Sequence, residues 1–143
     1  MNVKTILAAK GSDIVGIEPI ADLAAAAQLL SKHRIGAVVI RGAGGRLAGI
    51  LSERDIVRAL AEHGTEALSL PVAKVMTRNV TTCGEDDTIA SLMEKMTAGK
   101  FRHMPVITKG ELVGLVSIGD IVKQRVGEIE QESEQLRDYI RTA

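Results

Sequence analysis

The chain has 143 residues, 45% of them hydrophobic, and its 18 Lys plus Arg balance 18 Asp plus Glu, so the formal net charge is zero. With one Phe, one Tyr and no Trp, it lacks both the cationic surface that neutralises phosphates and the aromatic platform that stacks single strands, which argues against a nucleic-acid binder. No apolar run reaches the ~20 residues that span a membrane, Met1 to Lys10 has no signal-peptide core, and the lone Cys83 excludes an internal disulfide; a cytoplasmic protein is the expectation.

Val3 to Ala9 reads as a short helix with Val3, Ile6 and Leu7 on one face, broken by Lys10-Gly11-Ser12. Asp13 to Ile17 is extended and leads to Glu18-Pro19, where the residue before proline is pushed out of the helical region. Asp22 is an N-cap for a helix over Leu23 to His33, with Leu23, Ala27 and Leu30 at helical spacing. Gly36 to Ile40 is a strand, Gly42 to Gly45 a turn and Leu47 to Leu51 the returning strand. No Gly-Lys-Ser/Thr follows the glycines, so they are not a phosphate loop. Ser52 starts a helix to His63, and Gly64 stops it.

After a linker the order repeats. Val80 to Cys83 is extended, and Thr88 caps a helix lined by Ile89, Met93 and Met96. Arg102 to Ile107 is a strand, Lys109-Gly110-Glu111 a turn, Leu112 to Val116 the return, and Ser117 starts another helix. From Gly127 the chain is charged, with Ile129, Leu136 and Ile140 spaced as in an amphipathic helix; the competing reading is a solvated tail. The organisation expected is an N-terminal helix (1–12), a first repeat (13–64), a linker (65–74), a second repeat (75–126) and a C-terminal helix (127–143). A unit of about 60 residues is marginal alone, so the repeats should fold as a pair.

The clearest internal repeat is Gly49-Ile50-Leu51-Ser52-Glu53-Arg54-Asp55-Ile56-Val57, which returns 65 positions later as Gly114-Leu115-Val116-Ser117-Ile118-Gly119-Asp120-Ile121-Val122 with five of nine residues identical. Each copy is a strand running into a helix with Ser at the junction. Ser and Asp at this spacing form an ordinary capping box. The same geometry also offers free N–H groups and a carboxylate able to hold a ribose diol, and the duplication favours that second reading. An enzyme is not indicated. Ser52 and Ser117 have no evident His partner, and His33, His63 and His103 show no metal-ligand spacing with Cys83, which reads as an ordinary strand residue.

These motifs, with Arg102-His103-Met104-Pro105-Val106 and Val75-Met76-Thr77, make the chain resemble a tandem pair of CBS domains, a Bateman module. More narrowly it is similar to small stand-alone pairs of bacteria and plant organelles, whose plant members are linked to thioredoxin regulation. Inosine monophosphate dehydrogenases carry a similar pair, but their catalytic barrel does not fit in this length. The resemblance implies an α/β (α+β) fold of two β-α-β-β-α repeats related by a pseudo-twofold. It implies two clefts for adenine nucleotides, and no cofactor beyond that ligand: AMP first, with ADP, ATP or NAD(H) as alternatives.

Carried over, Ser52, Arg54 and Asp55 would share one cleft with Val80, Arg102, His103, Met104 and Pro105. Ser117 and Asp120 would share the other with Ile17, Gly36, Ala37 and Val38. Arg54, Arg102 and His103 suit phosphate oxygens. The second cleft has Ile118-Gly119 and Gly36-Ala37 at the matching places, so phosphate is not expected there. The function implied is a non-catalytic sensor that reports to a protein partner of unknown identity. The alternatives are a nucleotide-independent dimeric scaffold and a sensor of S-adenosylmethionine. A homodimer is expected through Ala24 to Leu30 and Leu92 to Met96.

Overall fold

The computed structural model describes residues 1–142, so Ala143, the last residue of the expected C-terminal helix, lies outside the described residues. The elements are α1 (Val3–Lys10), β1 (Gly16–Ile17), α2 (Leu23–His33), β2 (Ala37–Arg41), β3 (Leu47–Ser52), α3 (Glu53–His63), α4 (Val72–Val75), α5 (Ile89–Gly99), β4 (His103–Thr108), β5 (Glu111–Ser117) and α6 (Ile118–Thr142). The first repeat is a β-α-β-β-α unit, and the second follows the same order with its first strand reduced to an isolated bridge. In the first, β1 runs parallel to β2, and β2 antiparallel to β3. In the second, β4 pairs antiparallel with β5, and the extended stretch expected over Val80 to Cys83 shrinks to one parallel bridge, Cys83 to Val106.

Local chemistry fixes the helix starts. Asp22 accepts from the N–H of Ala25 at 2.9 Å and Thr88 from that of Ser91 at 3.1 Å, each satisfying a donor that a helix N-terminus leaves orphaned, worth about 1 kcal/mol. The two hairpins turn differently. Gly42 to Gly45 makes a wide turn, whereas Lys109 and Gly110 both take positive φ, the geometry of a tight hairpin.

Each half has its own core, and each core borrows a helix from across the chain. Leu23, Ala26, Val38, Ile40, Leu51 and Ile56 of the first repeat pack with Val72, near the end of the linker, and Met76, just beyond it. Ile89, Leu92, Met96, Met104, Val106, Val116 and Ile121 of the second pack with Val3, Ile6 and Leu7. The crossing explains the glycine that opens both copies of the repeated motif. A Cβ at Gly49 would lie 2.7 Å from both the Met76 sulfur and the Thr77 carbonyl oxygen, and one at Gly114 would lie 2.6 Å from Leu7.

Of the two stretches expected to face a second subunit, Ala26, Leu30, Leu92 and Met96 are absent from the surface because they are buried in the cores, while Met93 is exposed. Further exposed apolar surface lies on α3, where Val57 is 65% exposed, and on α6. The break expected at Gly127 is also absent: α6 runs unbroken for 25 residues.

Candidate functional site

A cavity of about 440 Å³ lies where the junction of β3 and α3 meets the approach to β4, within the size range of small-molecule sites. Ser52, Glu53, Arg54, Asp55 and Arg58 line it from the first repeat, with Gly36 at the head of β2. Thr77, Asn79, Val80, Thr81, Lys100, Phe101, Arg102 and His103 line it from the second.

Asp55 serves two purposes. Its Oδ2 accepts from the backbone N–H of Ser52 at 2.9 Å and from the Ser52 hydroxyl at 3.1 Å, while the N–H of Asp55 donates to Ser52 Oγ at 3.3 Å. That is a complete capping box. Oδ1 stands apart, with Arg58 Nη1 at 3.6 Å. One carboxylate oxygen therefore holds the helix start while the other retains capacity to accept hydrogen bonds.

The lining carries Arg54, Arg58, Lys100 and Arg102 against Glu53 and Asp55, an excess of cation suited to an anionic group. Lys100 ends α5 in the left-handed conformation, at φ 56° and ψ 39°, which turns the chain toward the cavity rim. Gly99 precedes it because any Cβ there would overlap the Phe101 ring.

His103 stands between the two halves. A Cβ on Gly36 would lie 3.1 Å from its Cε1 and 3.3 Å from Glu53 Oε1, so the glycine lets both side chains close in. Burial pushes the imidazole below its ordinary range; Glu53 and Asp120 pull it back up, and Lys10 and Arg102 reinforce the drop. The ring is neutral at neutral pH and donates through one nitrogen only.

The cavity thus collects Ser52, Arg54, Asp55, Val80, Arg102 and His103, as the sequence grouped them. Met104 and Pro105 are corrections. Met104 is fully buried in the second core, and the Pro105 carbonyl accepts from Cys83 N–H at 3.0 Å; neither lines the cavity. The thiol of Cys83 is pushed up to about 11 by burial and by Asp87, so it stays protonated and unreactive.

The second group is arranged differently. Ser117 and Asp120 form the matching reciprocal cap, with Ser117 N–H donating to Asp120 Oδ2 at 2.9 Å and Asp120 N–H to Ser117 Oγ at 3.1 Å. Gly36, grouped with them from sequence, lines the first cavity. Val38 is fully buried in the first core and Ala37 is 1% exposed, so their side chains are spent on packing; Ile17 packs against the same core from β1. What meets Asp120 is Lys10, with Nζ 2.7 Å from Oδ2. Burial raises the Asp120 carboxyl, but hydrogen bonds from Lys10 and Ser117 and the Lys10 charge outweigh it and hold it below the usual carboxylate range.

Ile50, Glu53, Arg58, Thr77, Asn79, Thr81, Gly99, Lys100 and Phe101 line the cavity without having been expected from the sequence. Arg58 was within reach, because it lies four residues beyond Arg54 and three beyond Asp55 and shares their helix face. Among the described residues, no three His, Cys, Asp or Glu side chains are grouped to hold a metal, and no helix is long and apolar enough to cross a membrane.

Known proteins agree with this architecture. The CBS-domain protein ATU1752 from Agrobacterium tumefaciens is 46% identical, with a TM-score of 0.85 over 87% of this chain and 92% of that one. PAE2072 from Pyrobaculum aerophilum, solved as a complex with AMP, is 30% identical with a TM-score of 0.75 over 84% and 89%. The CBS pair of MJ0100, solved with 5′-methylthioadenosine and S-adenosyl-L-methionine, is 29% identical with a TM-score of 0.80 over 90% and 98%. The mitochondrial CBS domain-containing protein CBSX3 of Arabidopsis thaliana is 34% identical over 119 residues, which are 80% of this chain but only 58% of that protein. The sequence model of the CBS domain matches twice, over residues 6–62 and 72–127, and with both repeats folded around exchanged helices the chain belongs to the CBS domain family as a tandem pair.

Proposed function

We propose that the protein is a non-catalytic regulatory module that senses an adenine nucleotide, AMP foremost, in the cavity around Asp55. It works as a homodimer and passes its occupied state to a protein partner. The observation that carries this reading is the pairing of Asp55 Oδ1, which lies outside the capping box with Arg58 at 3.6 Å, with Arg54, Arg58, Lys100 and Arg102 around the same 440 Å³ space. A ribose diol donates to the first, and a phosphate accepts from the others. The relatives solved with AMP and with S-adenosylmethionine support an adenosine ligand. S-adenosylmethionine has no phosphate and carries a sulfonium cation, so the four cations favour AMP, ADP or ATP; NAD also meets the requirement.

A thermal-shift panel of AMP, ADP, ATP, NAD(H), S-adenosylmethionine, GMP and buffer tests the proposal. At a hundredfold excess over its dissociation constant, a ligand stabilises by about 2.7 kcal/mol. AMP, ADP or ATP should shift the melting point most. No shift with any adenosine compound refutes the sensor and leaves the nucleotide-independent scaffold.

A further inference from the structure

We infer that α6 carries this protein's dimer contact, pairing with α6 of a second copy as a parallel, in-register coiled coil. Val122, Val126, Ile129, Ser133, Leu136 and Ile140 fall at alternating steps of four and three along one continuous helix. That is the spacing of heptad d and a positions. The five apolar members of this seam are all between 48% and 66% exposed, so the fold of one copy leaves the stripe uncovered over about three heptads. Ser133 is the only polar residue in it. A polar residue at a core position sets register at some cost in stability.

The occupant is fixed by charge. The positions flanking the seam read Lys123 and Arg125, then Glu130 and Glu132, then Arg137. In a parallel pair in register, each g residue meets the following e residue of the other helix. Arg125 then faces Glu130 of the second copy, and Glu132 faces Arg137. An antiparallel pair centred on the same stretch brings Glu130 against Glu130 and Lys123 against Arg137, all repulsive. A second copy laid parallel satisfies both charge relationships. Arg125 already holds Glu128 of its own helix at 2.9 Å, and its five-donor fork can serve a second carboxylate.

Sedimentation and light scattering on the full chain over about 1–100 µM test the pairing. The wild type should be a dimer. Ile129→Asp changes a half-exposed residue outside both cores, so the monomer fold stays and dimer affinity should fall about a hundredfold. Arg125→Glu should weaken the dimer about tenfold, and Arg125→Glu with Glu130→Arg should restore it. Ile140→Cys reads direction. In the parallel pair the two introduced thiols meet and oxidise to a covalent dimer, without interference from the buried Cys83. A monomer across the range overturns the inference and assigns the seam to another protein. So does a dimer indifferent to Ile129→Asp, or one in which Ile140→Cys does not cross-link to itself.

Discussion

Lys10 Nζ donates to the carbonyl of Leu115 at 2.9 Å and to Asp120 Oδ2 at 2.7 Å. In the first repeat the carbonyl of Ile50, the counterpart of Leu115, is met by the backbone N–H of Thr77, also at 2.9 Å. A main-chain donor in one half is replaced by an ammonium in the other. The ammonium reaches further and lands on the carboxylate that corresponds to Asp55. The two halves therefore differ at the chemical group a ribose would need. Lys10→Met should free Asp120 at a cost of about 1 kcal/mol or less, because the pair is partly exposed. Calorimetric titration with AMP should find one site in the wild type and a second, weaker site in the variant. A stoichiometry that stays at one shows that something other than Lys10 closes that half.

Asp55→Ala removes the acceptor for the ribose and should weaken AMP and adenosine alike by roughly ten- to a hundredfold. It also breaks the capping box, worth on the order of 1 kcal/mol of stability. Arg102→Ala separates the two effects, since Arg102 caps no helix. It should leave the melting temperature nearly unchanged and weaken AMP more than adenosine. Equal losses for both ligands, measured by calorimetry, would show that Arg102 does not meet the phosphate.

His103 gives the free protein a pH dependence. Its folded pKa lies below its ordinary value of 6.5, so the unfolded chain binds the proton more readily. Stability from this group is complete above the unfolded value and is lost as pH falls from about 7 through 6.5 toward the folded value. His103→Gln should flatten the melting curve over that interval. A slope identical in wild type and variant assigns the dependence to other groups.

The two motif glycines should respond unequally to substitution. At Gly49 an added methyl meets the Thr77 carbonyl oxygen, which is backbone and fixed by its pairing with Ile50. At Gly114 it meets the tip of Leu7, which can change rotamer. Gly49→Ala should cost about 2–3 kcal/mol and Gly114→Ala about 1 kcal/mol, read from urea unfolding. The reverse order would mean that the segment after α4 yields more easily than α1.

The sequence alone determined the duplication, the helix starts and the fold family, because each is written in local chemistry. Asp22, Ser52, Thr88 and Ser117 each cap the helix they precede, alternating and helical apolar periods mark the elements, and a 65-residue repeat states that the same unit occurs twice. It also brought Ser52, Asp55, Arg102 and His103 into one group. Only the tertiary structure decided the rest. That α1 completes the second core and α4 the first is a contact between distant segments, and apolar periodicity does not say which partner a helix will choose. For the same reason the motif glycines carried no visible reason until Met76 and Leu7 were seen against them. Gly36 moved to the first cavity, Met104 and Val38 went into the cores, and Lys10 reached Asp120 from 110 residues away. Each outcome depends on how two folded halves meet, and burial there competes with function for the same strands.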